Sequence, residues 1–140
     1  MTGSPAALAR GYFALLSGGP VESAREILAE GFVFHHPPLT PSEGWIGRDT
    51  FLARALTVTR AGFPDMRFEV ADVIAEGDRA AVRWVMHATH LGPYLGVPAS
   101  GRRIEVSGMN FFQVEAGRIA ITWAVRDTLG LLRQIGGVEA

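Results

Sequence analysis

The sequence predicts a single α+β domain in which helices cover one face of a curved antiparallel sheet. Three observations carry this. Up to residue 59 the apolar side chains recur mainly at helical spacing, from residue 66 the spacing drops to that of strands, and turn signals then join successive strands into hairpins. The 140 residues fit one domain, 1–140, with no linker or internal repeat.

Residues 4–17 form the first helix. Leu8, Tyr12, Leu15 and Leu16 share a face, and Ser4 followed by Pro5 is an N-cap with proline at the first helical position. Gly18, Gly19 and Pro20 end it. Residues 21–30 read as a short second helix that buries Ala24, Ile27 and Leu28 before Gly31. Residues 32–36 are a strand closed by Pro37 and Pro38, and residues 37–47 are a loop whose Leu39 and Trp45 need cover. A third helix starts at Gly47 or Asp49 and runs through Phe51, Leu52, Ala55 and Leu56 to Thr59. Four long strands follow, over residues 66–75, 79–89, 102–115 and 118–126. Glu76-Gly77-Asp78, a Gly/Pro-rich loop over 91–101 and Ala116-Gly117 separate them. A last helix, 128–135, ends at Gly136-Gly137.

Composition narrows the function. Hydrophobic residues are 48% and charged residues 19% of the chain, so apolar surface must face a ligand cavity, a subunit interface or a membrane. Thirteen basic against fourteen acidic residues, without like-charge blocks, leave no footprint for a nucleic acid. No apolar run reaches the ~20 residues of a membrane span, and Arg10 interrupts the one N-terminal run resembling a signal peptide. The absence of Cys excludes a disulfide framework and fits a reducing cytoplasm, the expected location. No phosphate-binding loop or nucleophile elbow is present, and no cofactor is expected.

Strand parity sorts side chains between the two faces. Ile104, Val106, Asn110, Phe112 and Val114 share one face, so Asn110 is an amide on an apolar row and needs a hydrogen-bond partner from the protein or a ligand, with Gly108 leaving room beside it. Val82, Trp84, Met86 and Ala88 share parity with His90. Ile119, Ile121, Trp123 and Val125 share parity with Asp127, which would put a carboxylate at the rim of an apolar face and raise its pKa toward that of a general base. Asp127 also precedes the last helix, and spacing alone favours an N-cap, which every helix needs. His35-His36 and His87-x-x-His90 suggest metal ligands, but such spacings point to opposite faces of a strand, and no metal is expected. The meander is apolar on both parities, with Val85, Met109 and Phe111 opposite Trp84 and Phe112. A homodimer burying those three across the outer sheet face is expected.

In order along the chain, these segments resemble the SnoaL-like polyketide cyclase family, within the nuclear-transport-factor-2-like superfamily of cone-shaped α+β barrels. The resemblance rests on Tyr12, Phe32-Val33-Phe34-His35-His36-Pro37, Phe63-Pro64-Asp65 and Thr89-His90-Leu91-Gly92. It continues through Gly96-Val97-Pro98, Gly101-Arg102-Arg103, Gly117-Arg118-Ile119, Trp123 and the run from Asp127 to Gly136. It implies a cone-shaped sheet wrapped around helices, enclosing an apolar pocket, and cofactor-free ring closure of a polyketide-derived small molecule. The family's catalytic aspartate stands just before the terminal helix, where this chain has Asp127. As general acid/base it would take the proton α to a carbonyl and return it to the nascent alkoxide. His35 and His90 are the other candidate catalytic residues, with Tyr12, His36, Trp45, Trp84, Asn110, Phe112 and Trp123 as candidate substrate contacts. Phe112 stands where founding members of the family carry a histidine. Three alternatives stay open: an isomerase; an epoxide-opening enzyme, needing two carboxylates bridged by arginine, with Asp72 as the second carboxylate and Arg126 pointing away by parity; and a non-catalytic binding domain in which Asp127 only caps its helix.

Overall fold

The fold is given by a computed structural model that describes residues 3–36 and 45–139. Helix α1 (Pro5–Leu16) is capped by Ser4, whose Oγ accepts the Ala7 N–H at 3.2 Å. A 3₁₀ turn (Val21–Ser23) and α2 (Ala24–Ile27) lead into strand β1 (Leu28–His35). Residues 28–30 are therefore strand rather than the end of the expected second helix. Leu28 is buried in either state, and pairing with Ile119 overrides the good helical propensity of Leu28, Ala29 and Glu30. Of the expected 37–47 loop, residues 37–44 lie outside the described residues, and strand β2 (Trp45–Gly47) pairs with β1. Helix α3 (Arg48–Ala53) continues through a π-helical stretch (Arg54–Thr59) into α4 (Arg60–Gly62). Strands β3 (Arg67–Glu76), β4 (Arg79–Thr89), β5 (Arg103–Glu115) and β6 (Arg118–Arg126) precede helix α5 (Thr128–Ile135).

The six strands form one open sheet in the order β2-β1-β6-β5-β4-β3. Its sequential hairpins are antiparallel, as is β1 with β2, whereas β1 lies parallel to β6 and makes the sheet mixed. The β4–β5 ladder is unbroken from Arg79 opposite Gln113 to Thr89 opposite Arg103. Its inward row is the expected one, with Val82, Trp84, Met86, Ala88, Ile104, Val106, Asn110, Phe112 and Val114 all buried. Against it pack Leu8, Tyr12, Phe13 and Leu16 of α1, with the Tyr12 ring edge-on to Phe112 at 5.1 Å.

Two bulges correct the parity reading. Ile119 pairs with Val114 and Ile121 with Gln113, so Ala120 is extra and every later side chain of β6 changes face. Thr122 is consequently buried, while Val125 is 59% exposed and Trp123 meets Phe111 on the outer face. The expected apolar row Ile119-Ile121-Trp123-Val125-Asp127 does not exist as one face. Ala71 is the matching extra residue in β3, and it sends Asp72 outward to Arg83, 2.6 Å away, with both side chains more than half exposed.

Phe63-Pro64-Asp65 and Thr89-His90-Leu91-Gly92 meet at one junction. The Asp65 carboxylate accepts the Thr89 hydroxyl and N–H at 2.7 and 2.8 Å, and these bonds, the hydroxyl foremost, hold its pKa below the usual carboxylate value. Leu91 and Gly92 donate to the Gly62 carbonyl, and a Cβ at Gly92 would overlap the Ala61 carbonyl oxygen. These motifs anchor the β4–β5 loop to α4. Among the described residues no helix is long and apolar enough to cross a membrane.

Candidate active site

Between α1, the α3–α4 segment and the inner sheet face lies a cavity of about 460 Å³, within the ~300–1,000 Å³ usual for small-molecule sites. Its walls are mostly apolar: Phe13 and Leu16 from α1, Phe34 from β1, Phe51, Ala55 and Val58 from the helical segment, and Phe68, Trp84, Met86 and Val106 from the sheet. The π-helical stretch contributes four lining residues, Arg54, Ala55, Val58 and Thr59. Wide turns of this kind often mark functional sites.

Besides Arg54 and Thr59 of that stretch, polar groups enter this apolar chamber at three places. On the sheet, Asn110 is 3% exposed and fully engaged. Its Oδ1 accepts the Trp84 indole N–H at 2.8 Å, its Nδ2 donates to Thr122 Oγ1 at 2.9 Å, and the Thr122 hydroxyl in turn donates to the Phe111 carbonyl at 3.0 Å. Tyr12 hydrogen-bonds the same amide. Burial pushes the Tyr12 phenol well above the usual tyrosine range, and the bond to Asn110 offsets part of that rise, so Tyr12 stays neutral. Gly108 makes the network possible, because the Trp84 indole lies across it.

At the second place Arg126 enters from the end of β6. The bulge at Ala120 turns it inward, against the parity expectation. Its Nη2 donates to the Tyr94 hydroxyl at 2.6 Å and its Nε to Thr128 Oγ1 at 3.3 Å. Its guanidinium also lies 5.7 Å from the Tyr94 ring centroid. At the third place His36, one residue past the end of β1, lies on the same side as Phe34, 5.2 Å from that ring. Among the described lining residues it is the one imidazole, and none is a carboxylate.

Of the residues singled out in the sequence, Tyr12, His36, Trp84 and Asn110 therefore meet in the cavity, and the other six do not line it. His35 points to the other side of β1 and packs against Trp45, ring centroids 4.0 Å apart and tilted by 44°; Trp45 is 57% exposed. Phe112 is fully buried behind Tyr12, and Trp123 lies on the outer face. His90 is wholly buried in the β4–β5 loop. Its Nδ1 accepts the Ser100 N–H at 3.1 Å and meets the Ser100 hydroxyl at 2.9 Å, its ring packs on Phe63, and its Nε2 has no hydrogen-bond partner among the described residues. His87 bridges Glu69 and Glu105 on the sheet's outer side, so the H-x-x-H pair is not brought together.

Asp127 is exposed and caps α5, with Oδ1 accepting the Gly130 N–H at 2.8 Å. The carboxylate lies so close over Gly130 that a Cβ there would overlap it. Asp127 nevertheless sits between two lining residues, Arg126 and Thr128. Parity gave no warning of Arg126, Tyr94 or Arg54. Arg126 depends on a bulge, and Tyr94 sits in a loop folded by a bridge to Val97.

The family model described as SnoaL-like polyketide cyclase matches residues 6–135. Aklanonic acid methyl ester cyclase DnrD from Streptomyces peucetius is 26% identical over 111 residues, covering 79% of this chain and 72% of that protein. The solved structure of the candidate polyketide cyclase IdmH from Streptomyces antibioticus superposes with a TM-score of 0.84 at 32% identity, covering 96% of this chain and 99% of that one. AclR from Streptomyces galilaeus, a candidate hydroxylase, has a TM-score of 0.82 at 22% identity, covering 96% of this chain and 82% of that one. At that identity the likeness speaks for the fold alone.

Proposed function

The chain belongs to the SnoaL-like polyketide cyclase family, and from this premise we propose that it closes a ring, without a cofactor, in a polyketide-derived or similarly apolar molecule held in the cavity. The observation that carries this reading is a 460 Å³ aromatic chamber with an imidazole on its wall. His36 takes the proton α to a substrate carbonyl, the resulting carbanion adds to a second carbonyl carbon, and the imidazolium returns the proton to the new alkoxide. Histidine suits both halves of this exchange because its charge changes near neutral pH. The apolar walls keep water from quenching the carbanion. A second reading keeps Asp127 as the general acid/base. It is favoured by the family position of that aspartate and by its place between Arg126 and Thr128, and it requires the carboxylate to leave the Gly130 amide. Epoxide opening is less favoured, since Asp72 lies on the outer face and no described lining residue is a carboxylate.

Conversion of aklanonic acid methyl ester, the compound named for the DnrD relative, and of other polyketide methyl esters to products of unchanged mass tests this reading. His36→Gln is expected to lower kcat by about 100-fold or more, the usual contribution of a general base. Asp127→Asn is expected to keep turnover, and also the fold, because Asn caps helices as well as Asp does. The reverse pattern assigns the proton transfer to Asp127. Full activity in both variants contradicts either assignment, and no conversion of any ester contradicts the substrate class.

We also propose a homodimer through the outer sheet face. Met109 opposite Val125 and Phe111 opposite Trp123 form a contiguous apolar patch there, with Val85 two strands away from β6. Met109 and Val125 are each 59% exposed in the single chain. Light scattering is expected to report a dimer for the native chain and a monomer for Phe111→Glu. A monomeric native chain overturns the proposal.

A further inference from the structure

We propose that Arg126 and Tyr94 form a binding site for an anionic oxygen, so that the substrate presents a carboxylate or an ionised enol or phenol to this end of the cavity. The inference deepens the ring-closure reading and rests on the cavity being the substrate site. Arg126 is half-buried against apolar walls, and no described carboxylate lies within ion-pair distance of it. A guanidinium has five N–H donors. Two are used, one on the Tyr94 hydroxyl and one on Thr128, which leaves three. Tyr94 is 5% exposed and accepts from Arg126, so its own O–H proton remains to be donated. Two side chains thus offer donors at one spot, backed by a positive charge.

Arg54 also lines the cavity and is exposed, so the chamber carries two guanidinium groups and, among its described lining residues, no acid. Placing a cation without its counter-charge beside an apolar chamber is unfavourable, and a ligand anion removes that penalty. Arg–carboxylate and Arg–enolate contacts are charge-assisted and among the stronger hydrogen bonds. Donors already fixed where negative charge sits or develops are the form that electrostatic stabilisation of an enolate takes in enzymes.

The test uses two fluorescent probes with the same aromatic body, 2-anthracenecarboxylate and its methyl ester, titrated into the native chain, Arg126→Gln, Arg126→Lys and Tyr94→Phe at neutral pH. The native chain is expected to bind the acid at least tenfold more tightly than the ester. Arg126→Gln should abolish that preference by weakening the acid alone, Arg126→Lys should restore part of it, and Tyr94→Phe should reduce it several-fold with the ester unaffected. Thermal melting checks that each variant is folded, and Tyr94→Phe carries the test if Arg126→Gln is not. Equal binding of acid and ester by the native chain overturns the anion site and leaves the cavity reading standing, as does equal weakening of both probes by the variants. Failure of both probes to bind overturns the inference together with the cavity reading beneath it.

Discussion

Asn110→Leu is expected to lower stability by roughly 3–5 kcal/mol, although the substitution replaces an amide by an apolar side chain of similar size on an apolar row. The amide serves the Trp84 indole N–H, the Thr122 hydroxyl and Tyr12 at once. Leucine leaves these buried groups unserved, and each unsatisfied buried group costs about 1–3 kcal/mol. Thr122 keeps its bond to the Phe111 carbonyl and Tyr12 sits on the cavity wall, which moderates the total. Against a domain stability of ~5–15 kcal/mol this is a large fraction. Urea unfolding monitored by tryptophan fluorescence measures it, and a loss below about 1 kcal/mol contradicts the network.

Gly108→Ala is the second large effect, at roughly 2–4 kcal/mol. A Cβ there would come within 2.6 Å of Trp84 Cε2 and closer still to its outer ring atoms. The indole cannot simply swing aside, because its N–H is tied to Asn110 on the neighbouring strand. Either the strands part or the hydrogen bond breaks, and overpacking of this kind costs about 1–3 kcal/mol before the lost bond is added. A double-mutant cycle isolates the cause. In a Trp84→Leu background the same Gly108→Ala change is expected to cost less than about 1 kcal/mol, since the overlapping ring is gone. An undiminished cost in that background places the strain elsewhere.

The β4–β5 half of the molecule was fully legible from alternation, because its ladder is unbroken from Arg79 to Thr89. Asn110 and Trp84 could be assigned to the interior for that reason. The assignments beyond Ala120 failed together. One extra residue in β6 exchanges Trp123 and Val125 for Ala124 and Arg126, and alanine carries no signal of a bulge. Nor does alternation within residues 32–36 say which face of the strand is inner. Packing of Phe32 and Phe34 against Phe51 fixes that and carries His36 inward with them, leaving His35 to Trp45. The cap at Asp127 was readable from its place before the helix, whereas whether its carboxylate meets the cavity depends on strand parity and was not. The resemblance to the cyclase family, built from ordered short motifs, was readable without any of this geometry. Several of those motifs, including Phe63-Pro64-Asp65 and Thr89-His90-Leu91-Gly92, turn out to hold the loop junction rather than to line the cavity.

In the proposed reaction the substrate is held and closed into a ring in the chamber between α1, the α3–α4 segment and the sheet. A crystal structure of the protein soaked with an aromatic polyketide ester tests it most directly. Ligand density is expected between Phe34, Phe68 and Trp84, with a substrate oxygen within hydrogen-bond distance of Arg126 or Tyr94 and His36 facing the carbon that loses its proton. Density only outside the chamber, or a chamber that stays unoccupied at a ligand concentration supporting turnover, would contradict it.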